Sequence, residues 1–226
     1  MCASRAAPGA IEGVVVDIGP EAVVVRAQPL LRVLSSAVAG GGLGHARAIV
    51  NVHVDRDCPW EDVETQLTPF ATRNRLPWPW VGLLTAAWTE RAEVAVESAH
   101  GMRALAVATV GLSNPIAAGR SAAARSDPGT INTIVVVDAA VEPGALVNLA
   151  LTVTEAKALV LAEAGVRCAD GAQATGTSTD AVVVAATGRG APARFGGPIS
   201  DAGWVVARAA RRALAEGVRG WLQREP

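Results

Sequence analysis

Three stretches decide the fold: TINTIVVVD (130–138), PGALVNLALTVTEAKALVLAEA (143–164) and AVVVAA (181–186). The first and third are short apolar runs rich in β-branched residues, which read as buried strands. The second places Pro143 in its first turn and Gly165 just past its end, the start and stop signals of a long helix. Downstream, residues 201–221 carry an apolar stripe at 203, 206, 210, 213, 214 and 217 with Arg208, Arg211, Arg212 and Arg219 mostly turned outward, a second helix. The second half is therefore β-α-β-α, with Arg189–Gly197 as its most mobile-looking interior loop.

Upstream the pattern changes. Val14–Val16 and Val23–Val25 flank Gly19-Pro20, a turn signal between two β-branched runs, so residues 13–26 read as a hairpin. Further strands are expected at 30–38, 46–54, 80–87, 92–99 and 103–110, with one helix over 60–73. The last three strands follow in quick succession with no room for helices between them, as in antiparallel sheet. The expectation is one α+β domain over residues 1–226, its mixed, largely antiparallel sheet ending in the β-α-β-α unit. The alternative is a layered α/β sandwich, with two sheets between helices.

Composition narrows the function. The chain has 226 residues, a size near the upper end for one domain. Its 20 basic and 21 acidic side chains leave a net charge of −1, too little positive field to hold nucleic acid. The longest charge-free stretch, 104–119, has 16 residues and is broken by Ser113, Asn114 and Pro115, too short to span a bilayer. No apolar block of signal-peptide length precedes Glu12 and Asp17, so a cytoplasmic location is expected. Cys2, Cys58 and Cys168 are odd in number and far apart, which fits free thiols in a reducing compartment. All basic residues but one are arginine, and the exception is Lys157. A lysine that survives such a bias suggests a site where a compact ammonium, able to change its protonation, cannot be replaced by guanidinium.

Several segments carry polar chemistry. Gly40-Gly41-Gly42-Leu43-Gly44 leads into a strand and lacks the Gly-Lys-Ser/Thr of a phosphate loop, leaving a tight turn or a close backbone approach to a ligand. His45, His53 and His100 have no metal-ligand spacing. On the long helix Asn148, Thr152 and Glu155 share one face flanked by Leu151, Leu159 and Ala162, a stripe expected to face protein or ligand rather than bulk water. A carboxylate buried there needs a donor or a role. Lys157 projects to the other side, among Leu146, Ala150, Val153 and Val160. A structural network and a catalytic or binding role are both open for these groups. Thr175-Gly176-Thr177-Ser178-Thr179-Asp180 is a dense hydroxyl and carboxylate loop before a fully apolar strand, serving either as turn chemistry or as a source of donors, a nucleophile and an acid. Thr130-Ile131-Asn132 and Gly111-Leu112-Ser113-Asn114 add polar groups at strand ends.

Taken in order, Leu34-Ser35-Ser36-Ala37 with Gly41-Gly42, Val50-Asn51-Val52, Val81-Gly82-Leu83-Leu84-Thr85-Ala86-Ala87, Ala108-Thr109-Val110-Gly111-Leu112-Ser113-Asn114, Gly129-Thr130-Ile131-Asn132, Thr154-Glu155-Ala156-Lys157 and Ala174-Thr175-Gly176-Thr177 with Thr179-Asp180 resemble the adenosylcobinamide amidohydrolase family of cobamide salvage. The resemblance spans about 30 to 187. The chain differs from that family in lacking a histidine after Phe195, where Gly196-Gly197-Pro198-Ile199-Ser200-Asp201 follows, and in having Gly119-Arg120 where the family is acidic.

The resemblance implies hydrolysis of the amide between a corrin propionate side chain and aminopropanol, giving adenosylcobyric acid. Such chemistry needs a nucleophile, stabilisation of an oxyanion and a proton for the departing amine. Glu155, Lys157, Asp180, Thr177 and Ser36 are the catalytic candidates. Gly41, Gly42, Asn51, Thr85, Asn114, Asn132 and Thr175 are the substrate-binding candidates. No metal and no cofactor are expected, and the partner is the cobalt corrinoid, entering as substrate. The alternatives are a corrinoid-binding protein without catalysis and an amidase for another amide.

Overall fold

The computed structural model describes residues 5–7, 11–55, 63–122 and 129–224. The strands are β1 (Arg5–Ala7), β2 (Val14–Ile18), β3 (Ala22–Ser35), β4 (Gly42–His53), β5 (Trp80–Thr85), β6 (Glu93–Ala99), β7 (Met102–Val110), β8 (Pro115–Ile116), β9 (Ile131–Val137), β10 (Ala140–Val141), β11 (Gly176–Thr177), β12 (Ala181–Ala186) and β13 (Pro192–Ala193). The helices are α1 (Val63–Arg73), α2 (Pro143–Glu163) and α3 (Asp201–Leu222).

Nine strands form one mixed, mostly antiparallel sheet, so the fold is α+β. Two runs expected as separate strands, Val23–Val25 and the 30–35 part of 30–38, belong to the single strand β3, whose register with β4 shifts between Arg26 and Leu31. Pro29 sits in that interval and has no N–H to give the ladder. Before the break β3 pairs with β2 and the end of β4; after it, with β12 and the start of β4. The β3–β4 ribbon therefore runs through two half-sheets. One continues to β5, which lies parallel to β4 because α1 carries the chain back across. The other continues through β12, β9, β7 and β6, with β12 and β9 parallel and α2 as their crossover. Strand β5 thus neighbours β4 and not β6, contrary to the antiparallel run that its sequence position suggests.

Alternating side chains sort the core into layers. Val23, Val25, Leu31, Ile49 and Leu83 from the first half-sheet pack against Leu105, Val107, Ile134, Val136 and Val183 from the second. The outer face of the first half meets α1 through Val24, Val50, Val52, Leu67 and Phe70. The outer face of the second meets α2 and α3 through Ile131, Val135, Val184, Leu149, Val153, Val206 and Leu214. The order is helix, half-sheet, half-sheet, helices. Helix α2 is long and apolar enough to cross a membrane by length and composition, and half of that window is buried within the fold.

The loop 189–197 is pinned at several points. Arg189 Nε donates to Asp138 Oδ1 at 3.0 Å, Glu142 N to Ala193 O at 3.1 Å and Thr152 Oγ1 to Gly196 O at 2.9 Å. Beyond it Ser200 Oγ caps α3 by accepting from Gly203 N at 3.1 Å. A Cβ on Gly203 would overlap Gly197 O and lie 2.7 Å from Gly196 O. Gly203→Ala is expected to destabilise the fold by about 1–3 kcal/mol in urea titrations. Gly144→Ala, with open space around its Cβ position, is expected to be near neutral.

Candidate active site

The loop before β12 turns back so that Asp180 points into a ring of donors. Its Oδ1 accepts from Ile131 N at 2.9 Å and from Thr177 Oγ1; its Oδ2 accepts from Thr177 N at 3.0 Å and from Lys157 Nζ. The Lys157 and Asp180 side chains are each 9 % exposed. A charge so far from water is tolerable only when partnered on most sides, and each partner of Asp180 comes from a different part of the local fold. Helix α2 brings Lys157, the start of β9 brings the Ile131 amide, and β11 brings Thr177. The single proton of Thr177 Oγ1 lies between Asp180 Oδ1 and Gly129 O, the latter at 2.9 Å. Thr179 Oγ1 also donates to Gly129 O, at 3.1 Å. A Cβ on Gly176 would press on Asp180 Oδ2 and lie 2.8 Å from Lys157 Nζ, so only glycine fits beneath the pair.

A second polar chain adjoins the first. Thr130 Oγ1 donates to Thr179 O at 2.9 Å and to Asn132 Oδ1 at 3.1 Å. Asn132 Nδ2 donates to Asn51 Oδ1 and to Leu84 O, both at 2.9 Å, and Asn51 Nδ2 to Thr109 Oγ1 at 2.9 Å. Asn51 and Leu84 belong to the first half-sheet, Asn132 and Thr109 to the second. This buried chain therefore ties the two half-sheets together at the end where Asp180 sits. Thr109, Thr130, Gly129 and Gly176 lie within segments that the sequence singled out but were not among the named site candidates.

The remaining candidates are scattered around this centre. Ser36 is exposed at the end of β3, and its Oγ accepts from Val182 N at 3.0 Å, two residues from Asp180. Asn114 Nδ2 donates to Ser178 Oγ at 2.7 Å at the rim. Thr175 Oγ1 accepts from Ala118 N at 2.9 Å, tying together two segments far apart in the chain, and Thr85 Oγ1 accepts from Ala87 N at 3.0 Å within a turn. Gly41 and Gly42 form the exposed turn between β3 and β4, where Gly42 has φ +90°. Glu155 stands apart. It is exposed on the outer face of α2, with Asn148, and lines a cavity with Leu159, Trp204, Arg208 and Arg211. The stripe expected to face protein or ligand is thus largely open to solvent, only Thr152 of its three polar members being buried. Exposure removes the demand for a buried partner at Glu155.

Cys168 is a buried free thiol, while Cys2 and Cys58 lie outside the described residues. Among the described residues no three His, Cys, Asp or Glu side chains are grouped to hold a metal ion. Arg120 Nε donates to Asp170 Oδ2 at 3.2 Å. The Asp170 carboxyl is held below its usual value first by the Ala172 backbone N–H and then by Arg120. That contribution is present above the ordinary carboxylate range and lost as pH falls through the lowered value.

A hydroxyl held on a carboxylate that a third group orients could serve as an activated nucleophile. Residues 10–226 match the family model described as adenosylcobinamide amidohydrolase. The chain belongs to the adenosylcobinamide amidohydrolase family and is an amidohydrolase. It is 35 % identical over 215 residues to the adenosylcobinamide amidohydrolase of Halobacterium salinarum, covering 89 % of this chain and 84 % of that protein. It is 33 % identical over 94 residues to an uncharacterized protein of Methanocaldococcus jannaschii, covering 41 % of this chain and 36 % of that one. Among solved structures it is similar to a Burkholderia sp. beta-aminopeptidase, with a TM-score of 0.45, 14 % identity and coverage of 91 % and 79 %. It is also similar to a protein from Pyrococcus horikoshii, with a TM-score of 0.48, 11 % identity and coverage of 98 % and 88 %.

The buried pair makes a testable energetic statement. Lys157→Met leaves Asp180 short of its cation and is expected to cost about 3–5 kcal/mol in denaturant titrations. Lys157→Met combined with Asp180→Leu is expected to cost less than the two single changes summed.

Proposed function

We propose that the protein hydrolyses the amide joining a corrin propionate side chain of adenosylcobinamide to aminopropanol, releasing adenosylcobyric acid for cobamide salvage. The observation that carries this reading is the Lys157–Asp180–Thr177 set in a chain of this family. Thr177 Oγ1 attacks the amide carbonyl carbon while its proton passes along the existing hydrogen bond to Asp180 Oδ1. Lys157 holds Oδ2 and keeps a positive charge beside the carboxylate as negative charge develops on the carbonyl oxygen. Collapse breaks the C–N bond, and the amine leaves with the proton that Asp180 received. Water then cleaves the Thr177 ester, restores the hydroxyl and yields the carboxylic acid. Asn114, Ser178 and Ser36 offer polar groups suited to the amide fringe of a corrinoid. No cofactor takes part; the cobalt corrinoid is the substrate.

Incubation with adenosylcobinamide, followed by mass analysis, is expected to give adenosylcobyric acid and aminopropanol, with turnover unaffected by EDTA. Cleavage of small amides with no action on the corrinoid would overturn the substrate assignment. Thr177→Ala and Asp180→Asn are each expected to lower kcat by about 100-fold or more, and Thr177→Ser to retain most of it. Lys157→Arg is expected to lose turnover heavily, since the space around Nζ beneath Gly176 has no room for a guanidinium.

A further inference from the structure

A second cavity lies at the same end of the sheets and is unused by the chemistry above. It measures about 290 Å³ and is lined by His53, Asp55, Trp88, Arg91, Trp221 and Arg224, with Val54 and Ala86. His53 and Trp88 stack with ring centroids 5.0 Å apart and planes 22° apart, while the Arg91 guanidinium lies 5.9 Å from the Trp88 ring. Trp88 remains 52 % exposed despite these contacts. The wall is rigidly seated. His53 Nδ1 donates to Ala87 O at 3.0 Å, and Thr89 Oγ1 donates to Gly19 O at 2.7 Å. On the opposite side Gly217 brings α3 so close to β7 that a Cβ there would lie 2.6 Å from Val110 Cγ2, which sets Trp221 one turn further on. Gly111 lies between Ala87, next to the lining residues Ala86 and Trp88, and Thr130 at the start of β9. Gly111 N donates to Thr130 O at 3.0 Å, and a Cβ on Gly111 would lie 3.3 Å from Ala87 Cβ.

We propose that this cavity is a nucleoside subsite that holds the 5′-deoxyadenosyl axial ligand of the corrinoid, with the purine stacked on Trp88. The proposal rests on the corrinoid reading above. At about 290 Å³ the space lies at the lower bound of roughly 300 Å³ for small-molecule sites, which suits one arm of the substrate and not its macrocycle. The axial nucleoside is the aromatic arm of adenosylcobinamide, and base–aromatic stacking uses a flat ring with an open face. Arg91 and Arg224 can donate to purine ring nitrogens, and Asp55 can accept from the exocyclic amine or a ribose hydroxyl.

The test compares adenosylcobinamide with cyanocobinamide, which lacks the nucleoside, on the full chain and its Trp88→Ala and Trp88→Phe variants, alongside calorimetric binding of 5′-deoxyadenosine. The expected result is a KM increase for adenosylcobinamide in Trp88→Ala about tenfold larger than for cyanocobinamide. Trp88→Phe should restore most of the difference, and 5′-deoxyadenosine should bind wild type but not Trp88→Ala. Equal KM changes for both corrinoids would overturn the proposal, as would binding of inorganic phosphate in place of 5′-deoxyadenosine. If wild type turned over neither corrinoid, the amide-hydrolase reading would fail, while nucleoside binding would still decide the subsite.

Discussion

A carboxylate removed from water must be enclosed by donors, and the way Asp180 meets that requirement organises the reaction end of the molecule. Its partners are one ammonium, one hydroxyl and two backbone N–H groups. Placing them requires α2 to lie across β12 at one depth, β9 to begin at Ile131, and the 175–180 turn to close over a glycine. The desolvation of the pair makes this arrangement costly to lose in part, which is why a fold can be held to one register by it. The same contacts leave a threonine hydroxyl against a carboxylate oxygen, so the constraint on folding also sets the geometry on which the proposed chemistry would draw.

The Asn51–Asn132 chain supplies the second constraint. Two half-sheets joined only by the β3–β4 ribbon could slide over an apolar interface, since hydrophobic contact is non-directional. Directed amide bonds from β4 and β5 to β9 and β7 fix that interface at the end bearing Asp180. They also fix the spacing between the reaction centre and the His53–Trp88 wall, because Ala87 and Gly111 sit between the two. Rigid strands beneath and a turn above are what a centre needs to hold its geometry while its rim admits a large substrate.

Much of this was legible in the sequence where local signals are strong. The hairpin at Gly19-Pro20 and both ends of α2 follow from turn and capping chemistry acting within a few residues, strand β12 from its apolar β-branched run and α3 from its apolar periodicity. Lys157 was legible as a singular lysine on an apolar helix, and Thr177 and Asp180 as neighbours in one turn. The link between Lys157 and Asp180 was not, because 23 residues separate them and only the packing of α2 across β12 brings them together. The exposure of Glu155 was hidden for a related reason. Helix α2 is apolar on nearly every side and leaves Val147, Leu151 and Leu159 exposed, so its sequence does not say which face is buried. The continuity of β3 through Pro29 was hidden because proline reads locally as a break, and the parallel placement of β5 because strand order is set by the α1 crossover.

The claim on which the account rests is that Thr177 carries the acyl group between the two halves of the reaction. The direct measurement is a single-turnover reaction with adenosylcobinamide, quenched in acid within the first turnover, digested and mapped by mass spectrometry. The account predicts a transient ester of the corrinoid acyl group on the peptide containing Thr177, absent from the Thr177→Ala protein. An adduct on Ser36 or Ser178 instead, or full-rate product formation by Thr177→Ala, would contradict it.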